Sequence, residues 1–124
     1  MSSAHQILAM EPTMFNPDTG RLDAERIARE LNVPVETIAE AIRQKASAVR
    51  KSPDASSLQD ELRRLYRIWV ALLGLFAGNK TNTRIFLNAP NKSLEDHAPI
   101  EYIRSGNFGP LELFIDAMSV RQPT

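Results

Sequence analysis

The chain of 124 residues contains no cysteine, which excludes disulfides, thiol catalysis and cysteine-ligated zinc. Its net charge is zero, because fifteen basic residues balance fifteen acidic ones. It therefore lacks the positive excess typical of chains that wrap nucleic acid. The longest apolar run, residues 68–78, is about half of the roughly 20 residues that span a bilayer. With no secretory signal pattern at the start, these absences predict a soluble cytoplasmic protein without a membrane segment.

Residues that carry catalytic or metal chemistry are sparse. Neither His5 nor His97 has a second histidine three or four positions away, so no metal site is predicted. Asp96, His97 and the nearby Ser93 contain the side-chain types of a catalytic triad, but neighbours on one loop rarely have triad geometry. The five glycines are scattered, which argues against a phosphate-binding loop. We predict a protein that is not an enzyme and has no cofactor; a small enzyme that uses Asp96 and His97 is the remote alternative.

Helical periodicity predicts an all-α fold with four segments. Residues 1–20 carry turn-forming prolines without a sustained period and are predicted to be a flexible arm, from which Met10, Met14 and Phe15 can pack on the core. Residues 21–53 contain two short apolar-faced helices that meet in a tight turn at residues 31–34. This outline predicts a helix-turn-helix unit.

The third segment, residues 54–79, is predicted to be a long central helix over residues 57–77. Ser56 and Gln59 have the spacing of a capping box at its start. A heptad seam follows, formed by Leu58, Leu62, Leu65, Trp69, Leu72 and Phe76. Because the seam is short, we interpret it as the core of one subunit; a coiled-coil dimer seam is the alternative.

The fourth segment, residues 80–124, is divided by prolines and glycines. Helical angles are disfavoured before Pro90, so a helical turn over residues 84–88 should end there. Pro99 and Pro110 should each start a helix, and Gly106 should stop the first of them. The last helix carries an apolar stripe, formed by Leu111, Phe114, Ile115 and Met118.

The helix-turn-helix pattern raises the hypothesis of DNA binding. We expect Glu36, Thr37, Ala39 and Glu40 to be exposed near the start of the second helix, where the two carboxylates would repel phosphates. The candidate DNA-binding residues are Thr37, Arg43, Gln44, Lys45, Arg50 and Lys51. A DNA-reading unit and a packing module without readout remain open alternatives.

Residues 86–118 read FLNAPNKSLEDHAPIEYIRSGNFGPLELFIDAM. This segment resembles the C-terminal toxin-binding domain of the Xre/MbcA/ParS antitoxin family. The order and spacing that carry the resemblance are those of Phe86, Pro90, Asn91, Leu94, Pro99 and Gly106, followed by the last apolar helix. The family's aromatic residue is commonly tryptophan, and here it is Phe86. The domain order is also similar, so the resemblance covers about residues 22–118.

The resemblance implies an antitoxin that neutralises a RES-domain toxin, an enzyme that consumes NAD or transfers ADP-ribose. It also implies a homodimer that represses its own operon through operator DNA. Pro90, Asn91 and Pro99 are expected to be structural. The expected toxin contacts are Lys92, Glu95, Asp96, His97, Arg104, Asn107 and Phe108, together with the tail after Met118. Phe108 is the preferred anchor, and its packing on the last helix is the alternative. A stand-alone DNA-binding regulator is the alternative function.

Overall fold

The computed structural model describes residues 11–121, and this range is all-α, as predicted. It contains no β-strand within those residues, only two isolated bridges, Phe15 with Leu22 and Asn91 with His97. The seven helices in this range are α1 Ala24–Leu31, α2 Val35–Ala41, α3 Ala46–Lys51, α4 Gln59–Leu75, α5 Lys80–Asn88, α6 Pro99–Arg104 and α7 Gly109–Arg121.

The two short helices predicted around residues 31–34 are present as α1 and α2. The carboxylate of Asp23 caps α1 by accepting hydrogen bonds from the backbone N–H groups of Glu25 and Arg26, at 2.9 and 3.1 Å. Asn32 ends α1 in the left-handed conformation, with φ of 61°. Pro34 then precedes α2. A third short helix, α3, follows and had not been predicted.

The heptad seam lies inside one subunit. Leu62, Leu65, Trp69 and Leu72 on α4 are at most 1% exposed, which confirms the interpretation as core packing. The expected capping box is wrong. The Gln59 side chain instead bonds both backbone groups of Leu22: Oε1 accepts from the N–H at 2.9 Å, and Nε2 donates to the carbonyl at 3.0 Å. A 3₁₀ turn over Ser56–Leu58 precedes the helix in place of the box.

Met14 and Phe15 of the predicted arm pack on the fold, as expected for these two residues. Met14 is fully buried, and the Phe15 ring meets the Tyr66 ring edge to face, with centroids 5.3 Å apart. Residues 1–10, which include His5 and Met10, lie outside the described residues. Met14 is therefore part of the core, and the segment that carries it is attached to the helices.

Three charged side chains attach the start of the described chain to α1 and α5. Lys80 Nζ lies 2.6 Å from Glu30 Oε2 and 3.4 Å from Glu11 Oε1. Burial raises the pKa of Glu11, and the hydrogen bond to Glu30 raises the pKa of Lys80. The ammonium group thus neutralises carboxylates that are largely removed from water.

Most of the predicted boundaries after residue 80 are confirmed. α5 ends at Asn88 before Pro90, α6 starts at Pro99, and Gly106 follows it with φ of 72°. The exception is the start of α5 at Lys80, four positions before the expected turn. The Asn79 side chain produces this earlier start, because its Oδ1 accepts from the Asn82 N–H at 2.9 Å.

Helix α2 packs directly against α6, so the predicted segments 21–53 and 80–124 are in contact. The approach is tight at Gly106, where an added Cβ would lie 2.9 Å from the carbonyl oxygen of Ala41. Arg104 of α6 also lies 4.0 Å from Glu40 of α2. The orientation of α6 therefore depends on α2.

A charged pair joins α4 to α7. Arg64 donates to both carboxylate oxygens of Glu112, at 2.9 and 2.7 Å, and its guanidinium lies over the Phe108 ring at 5.3 Å. The hydrogen bond from Arg64 holds the pKa of Glu112 below its usual value of 4.5. The folded protein therefore binds this proton less readily than the unfolded chain does.

Replacing Glu112 by glutamine is expected to reduce the acid sensitivity of folding. A lowered folded pKa gives stability that is present above about pH 4.5 and lost as the pH falls through the folded value. Both side chains are about half exposed, so the loss at pH 7 should be only about 0.5–1 kcal/mol. Urea unfolding at pH 7 and pH 3 measures the change in unfolding free energy. A double-mutant cycle with Arg64→Gln isolates the interaction between Arg64 and Glu112. If wild type and variant lost the same unfolding free energy between pH 7 and pH 3, Glu112 would not contribute to the acid sensitivity of folding.

Candidate functional site

A cleft of about 620 Å³ lies between α7 and the turn at residues 91–97. One wall is the side of α7 that carries Pro110, Leu113, Phe114, Ala117 and Met118. The other wall is formed by Ser93, Leu94, Glu95, Tyr102 and Asn107. Most of the lining is apolar, and the polar groups come from the turn and from the residues before α7. Such a lining is typical of a site that binds an apolar group and orients it with a few polar contacts.

An apolar strip runs along the outer side of α7 beside this cleft. Leu113 is 72% exposed and Val120 is 85% exposed, and Ala117 between them is also exposed. Spacings of four and three residues place the three side chains on one side of the helix. The opposite side buries Leu111 and Ile115 in the core. Helix α7 is therefore apolar on two sides, and residues 11–121 cover only one of them.

The turn at residues 91–97 is held by a compact set of hydrogen bonds. The Asn91 N–H donates to the His97 carbonyl at 3.1 Å, and the Asn91 Oδ1 accepts from the Ser93 N–H at 2.8 Å. Tyr102 of α6 donates its hydroxyl to the Leu94 carbonyl at 3.0 Å. These contacts confirm Asn91 as a structural brace of the loop. They also hold the rim of the cleft in this conformation.

Two neighbouring residues of this turn have left-handed backbone angles. Glu95 has φ of 57° and Asp96 has φ of 63°, and both side chains are exposed. This conformation is unfavourable for residues other than glycine, and such strain is enriched at ligand-binding segments. Here it brings the Glu95 side chain to the lining of the cleft.

The expected toxin-contact residues divide between two places. Glu95 and Asn107 line the cleft, and Lys92, Asp96 and His97 are exposed on the same turn. The His97 Nδ1 lies 3.2 Å from a carboxylate oxygen of Glu101. Two contacts lower the pKa of Glu101: the larger effect comes from the backbone N–H of Ala98, and a smaller one comes from His97. Arg104 is exposed near Glu40 of α2, away from the cleft lining.

The expected exposure of Phe108 is wrong. Its side chain is only 3% exposed, and the guanidinium of Arg64 covers its ring. The chain turns inward between Gly106 and Gly109, so the aromatic ring enters the core. Phe108 therefore contributes packing, which was the alternative interpretation, and a partner cannot reach it in this conformation.

Two residues expected at a DNA-reading surface are also buried. Thr37 is 6% exposed and Ala39 is 1% exposed, because α1, α3 and α6 all pack against α2. Glu36 and Glu40 are exposed, as expected, and Glu36 forms an ion pair with Arg50 of α3. The remaining candidates, Arg43, Gln44, Lys45 and Lys51, are exposed on the chain after α2. These four candidates therefore retain exposure, and burial excludes Thr37.

The sequence-based site omitted the large exposed side chain of Leu113. Leu113 and Ala117 had no assigned role, because the stripe through Leu111 and Ile115 already accounted for α7, and Val120 was included only as part of the tail after Met118. The signal was present in the spacing: Leu113 and Val120 lie off that stripe, so a second apolar side was visible in the sequence.

Within residues 11–121, no group of three or more His, Asp or Glu side chains is arranged to hold a metal ion. No helix in the same range is long and apolar enough to cross a membrane. No family model, curated protein or solved structure matches this chain in the three comparisons. Its function has to be inferred from its own residues and their geometry.

Proposed function

We propose that this chain is an antitoxin that binds and inhibits a RES-type toxin through its C-terminal module. One observation carries the proposal: the apolar strip of Leu113, Ala117 and Val120, which no other part of residues 11–121 covers, lies beside a preformed cleft. Most of both features lies within residues 86–118, the segment that resembles a toxin-binding domain. In this proposal the protein acts by occupying a surface of the toxin and performs no chemistry itself.

The physical character of this surface supports association with another protein. An exposed apolar strip rimmed by polar groups is typical of the central part of a protein interface. Phe114 and Met118 are half-buried between the strip and the core, so a partner can cover the surface they still expose. The hydrogen-bonded turn at residues 91–97 is already ordered, which lowers the entropic cost of binding.

The second candidate function is that of a DNA-binding regulator, either alone or as the repressor part of a dimeric antitoxin. The observation that favours it is the exposure of three basic residues on the chain after α2, Arg43, Lys45 and Lys51. Against it stand the exposed carboxylates of Glu36 and Glu40 on α2 itself. We therefore place toxin binding first, in a cytoplasmic protein, with operator binding as a separate activity at the other end of the chain.

The proposal predicts that the product of the adjacent gene co-purifies with this protein and loses its NAD-consuming activity in the complex. Replacing Leu113 by glutamate should weaken the complex about 10- to 100-fold, because the transfer free energy of one leucine is lost and a carboxylate is introduced. Co-expression, followed by an NAD assay over a range of concentrations of this chain, measures the effect. Ser119→Glu is the matched control, since Ser119 is exposed on the same helix away from the strip.

Three outcomes separate the candidates. A complex that is lost with Leu113→Glu and kept with Ser119→Glu supports binding through the strip. A complex that tolerates both variants would place the contact elsewhere on the chain. Absence of any complex or NAD effect would remove the antitoxin proposal. Binding of the upstream DNA by this protein, falling with about the third or fourth power of salt concentration, would then favour the regulator.

A further inference from the structure

We propose that the cleft receives an amphipathic helix of the partner, which inserts one apolar side chain and places a lysine or arginine against Glu95. This inference rests on the proposed function, because the partner is the toxin. It goes beyond that function by stating the chemistry of the segment that is bound.

The apolar part of the surface has the dimensions of a helix contact. The strip from Leu113 to Val120 spans about 10 Å along α7, or about two helical turns. Ala117 lies between the two larger side chains, and its small size lets a second helix approach closely there. Phe114 and Met118 continue the apolar surface into the cleft. A partner helix with apolar side chains at positions i, i+3 or i+4, and i+7 would match this pattern.

The charges around the cleft indicate which residues should flank the apolar side chains of the partner helix. Of the ten lining residues within the described range 11–121, Glu95 is the only charged one, and it is exposed. Asp96 follows it on the turn, and Asp116 is exposed on α7 at the border of the strip. Lys92 belongs to the same turn but does not line the cleft. An incoming helix therefore meets carboxylates around an apolar centre, which favours basic flanking residues.

The same charges argue against a second copy of this chain as the occupant. Asp116 lies midway along the strip, so two α7 helices packed through their strips would bring like charges together in either relative direction. When the strip of one copy entered the cleft of another, the Asp116 carboxylate of the first copy would also approach Glu95 of the second. Like charges in contact oppose association, so we infer a partner that differs from this chain.

Two synthetic helical peptides of about 16 residues test this chemistry without the toxin. They share one leucine and alanine stripe and differ only at two flanking positions, which are lysine in one peptide and glutamate in the other. We expect the lysine peptide to bind about three- to tenfold more tightly and to shift the amide signals of Glu95, Leu113 and Ala117. Titration of the full isotope-labelled chain, followed by NMR, measures both.

Variants of this chain make the assignment specific. Glu95→Gln should bring the affinity ratio of the two peptides close to one, and Glu95→Lys should reverse it. Leu113→Glu should weaken both peptides at least about tenfold, whereas Ser119→Glu should leave both unchanged. Equal binding of the two peptides to wild type would overturn the inference. Signal shifts confined to other helices, or self-association through α7 in light scattering, would also overturn it.

The results distinguish this inference from the proposed function. If the lysine peptide binds as expected but the adjacent gene product neither co-purifies nor is inhibited, the cleft chemistry stands and the antitoxin proposal fails. If the toxin is inhibited equally well by wild type, Glu95→Lys and Leu113→Glu, the antitoxin proposal stands and this inference fails.

Discussion

Replacing Phe108 by alanine is expected to lower the free energy of unfolding by about 3–5 kcal/mol. The ring is 3% exposed between α7 and the Arg64 side chain, so its removal leaves a cavity and deprives the guanidinium of its aromatic contact. Urea unfolding followed by the fluorescence of Trp69 measures the change, because that single tryptophan is buried in α4. The expected loss is a large part of the stability of a domain of this size.

The comparison with Leu113→Ala decides between packing and partner contact. Leu113 is 72% exposed, so its truncation should change the unfolding free energy by no more than about 0.5 kcal/mol. The two variants should thus behave in opposite ways: Phe108→Ala loses stability, and Leu113→Ala loses only affinity. A Phe108→Ala protein of unchanged stability that no longer binds the toxin would restore the hypothesis of an exposed anchor.

Replacing Gly106 by alanine is expected to cost about 2–4 kcal/mol, the second largest effect. A left-handed backbone angle costs about 1–2 kcal/mol for an L-residue, and overpacking adds roughly 1–3 kcal/mol. The added Cβ would lie 2.9 Å from the carbonyl oxygen of Ala41, which belongs to the backbone and cannot rotate away. Urea or thermal unfolding measures the loss, and toxin binding should weaken in parallel as α6 shifts away from α2.

Gly74 is the matched control for this substitution. It is exposed near the end of α4, and an added Cβ would meet no atom within 4 Å. Gly74→Ala should therefore be neutral or stabilise the protein by up to about 1 kcal/mol, because alanine is the better helix former. If both glycine variants were equally stable, the contact between Gly106 and Ala41 would not constrain the fold.

The elements that the sequence predicts well are those with a local physical cause. Pro99 fixes a helical φ at the first turn of α6, and Gly106 supplies the left-handed residue after it. The leucine seam of α4 needs only its own spacing to predict a buried face. In each case the residues within one or two turns determine the outcome, so periodicity and turn chemistry were sufficient.

The errors have non-local causes. Gln59 could have formed a capping box with Ser56, but the backbone of Leu22, 37 positions away, satisfies its amide better. Thr37 and Ala39 lie on different sides of α2, and the packing of α1, α3 and α6 around this helix covers both. Phe108 lies in a two-glycine turn where no period exists to indicate burial. Contacts of this kind depend on which helices meet, and helical spacing alone contains no such information.

The candidate site also contains features with local causes, which the sequence predicts, and features with non-local causes, which it does not. Asn91 and Glu95 were expected at this turn from the resemblance that residues 86–118 carry. Leu113 was not expected at the site, and Val120 was included only with the tail after Met118, because the importance of the strip depends on the absence of a covering element within residues 11–121. Whether a second apolar side of a helix is buried or exposed is settled by the neighbouring helices.

The contact between Ala41 and Gly106 also bears on the order in which the chain can fold during synthesis. The two residues are separated by more than half of the protein's length. At about 5–20 residues per second, the ribosome adds Gly106 roughly 3–13 s after Ala41. The surface of α2 that faces α6 therefore lacks its α6 contacts for seconds on each nascent chain. During that interval chaperones and proteases can reach a surface that the finished protein covers.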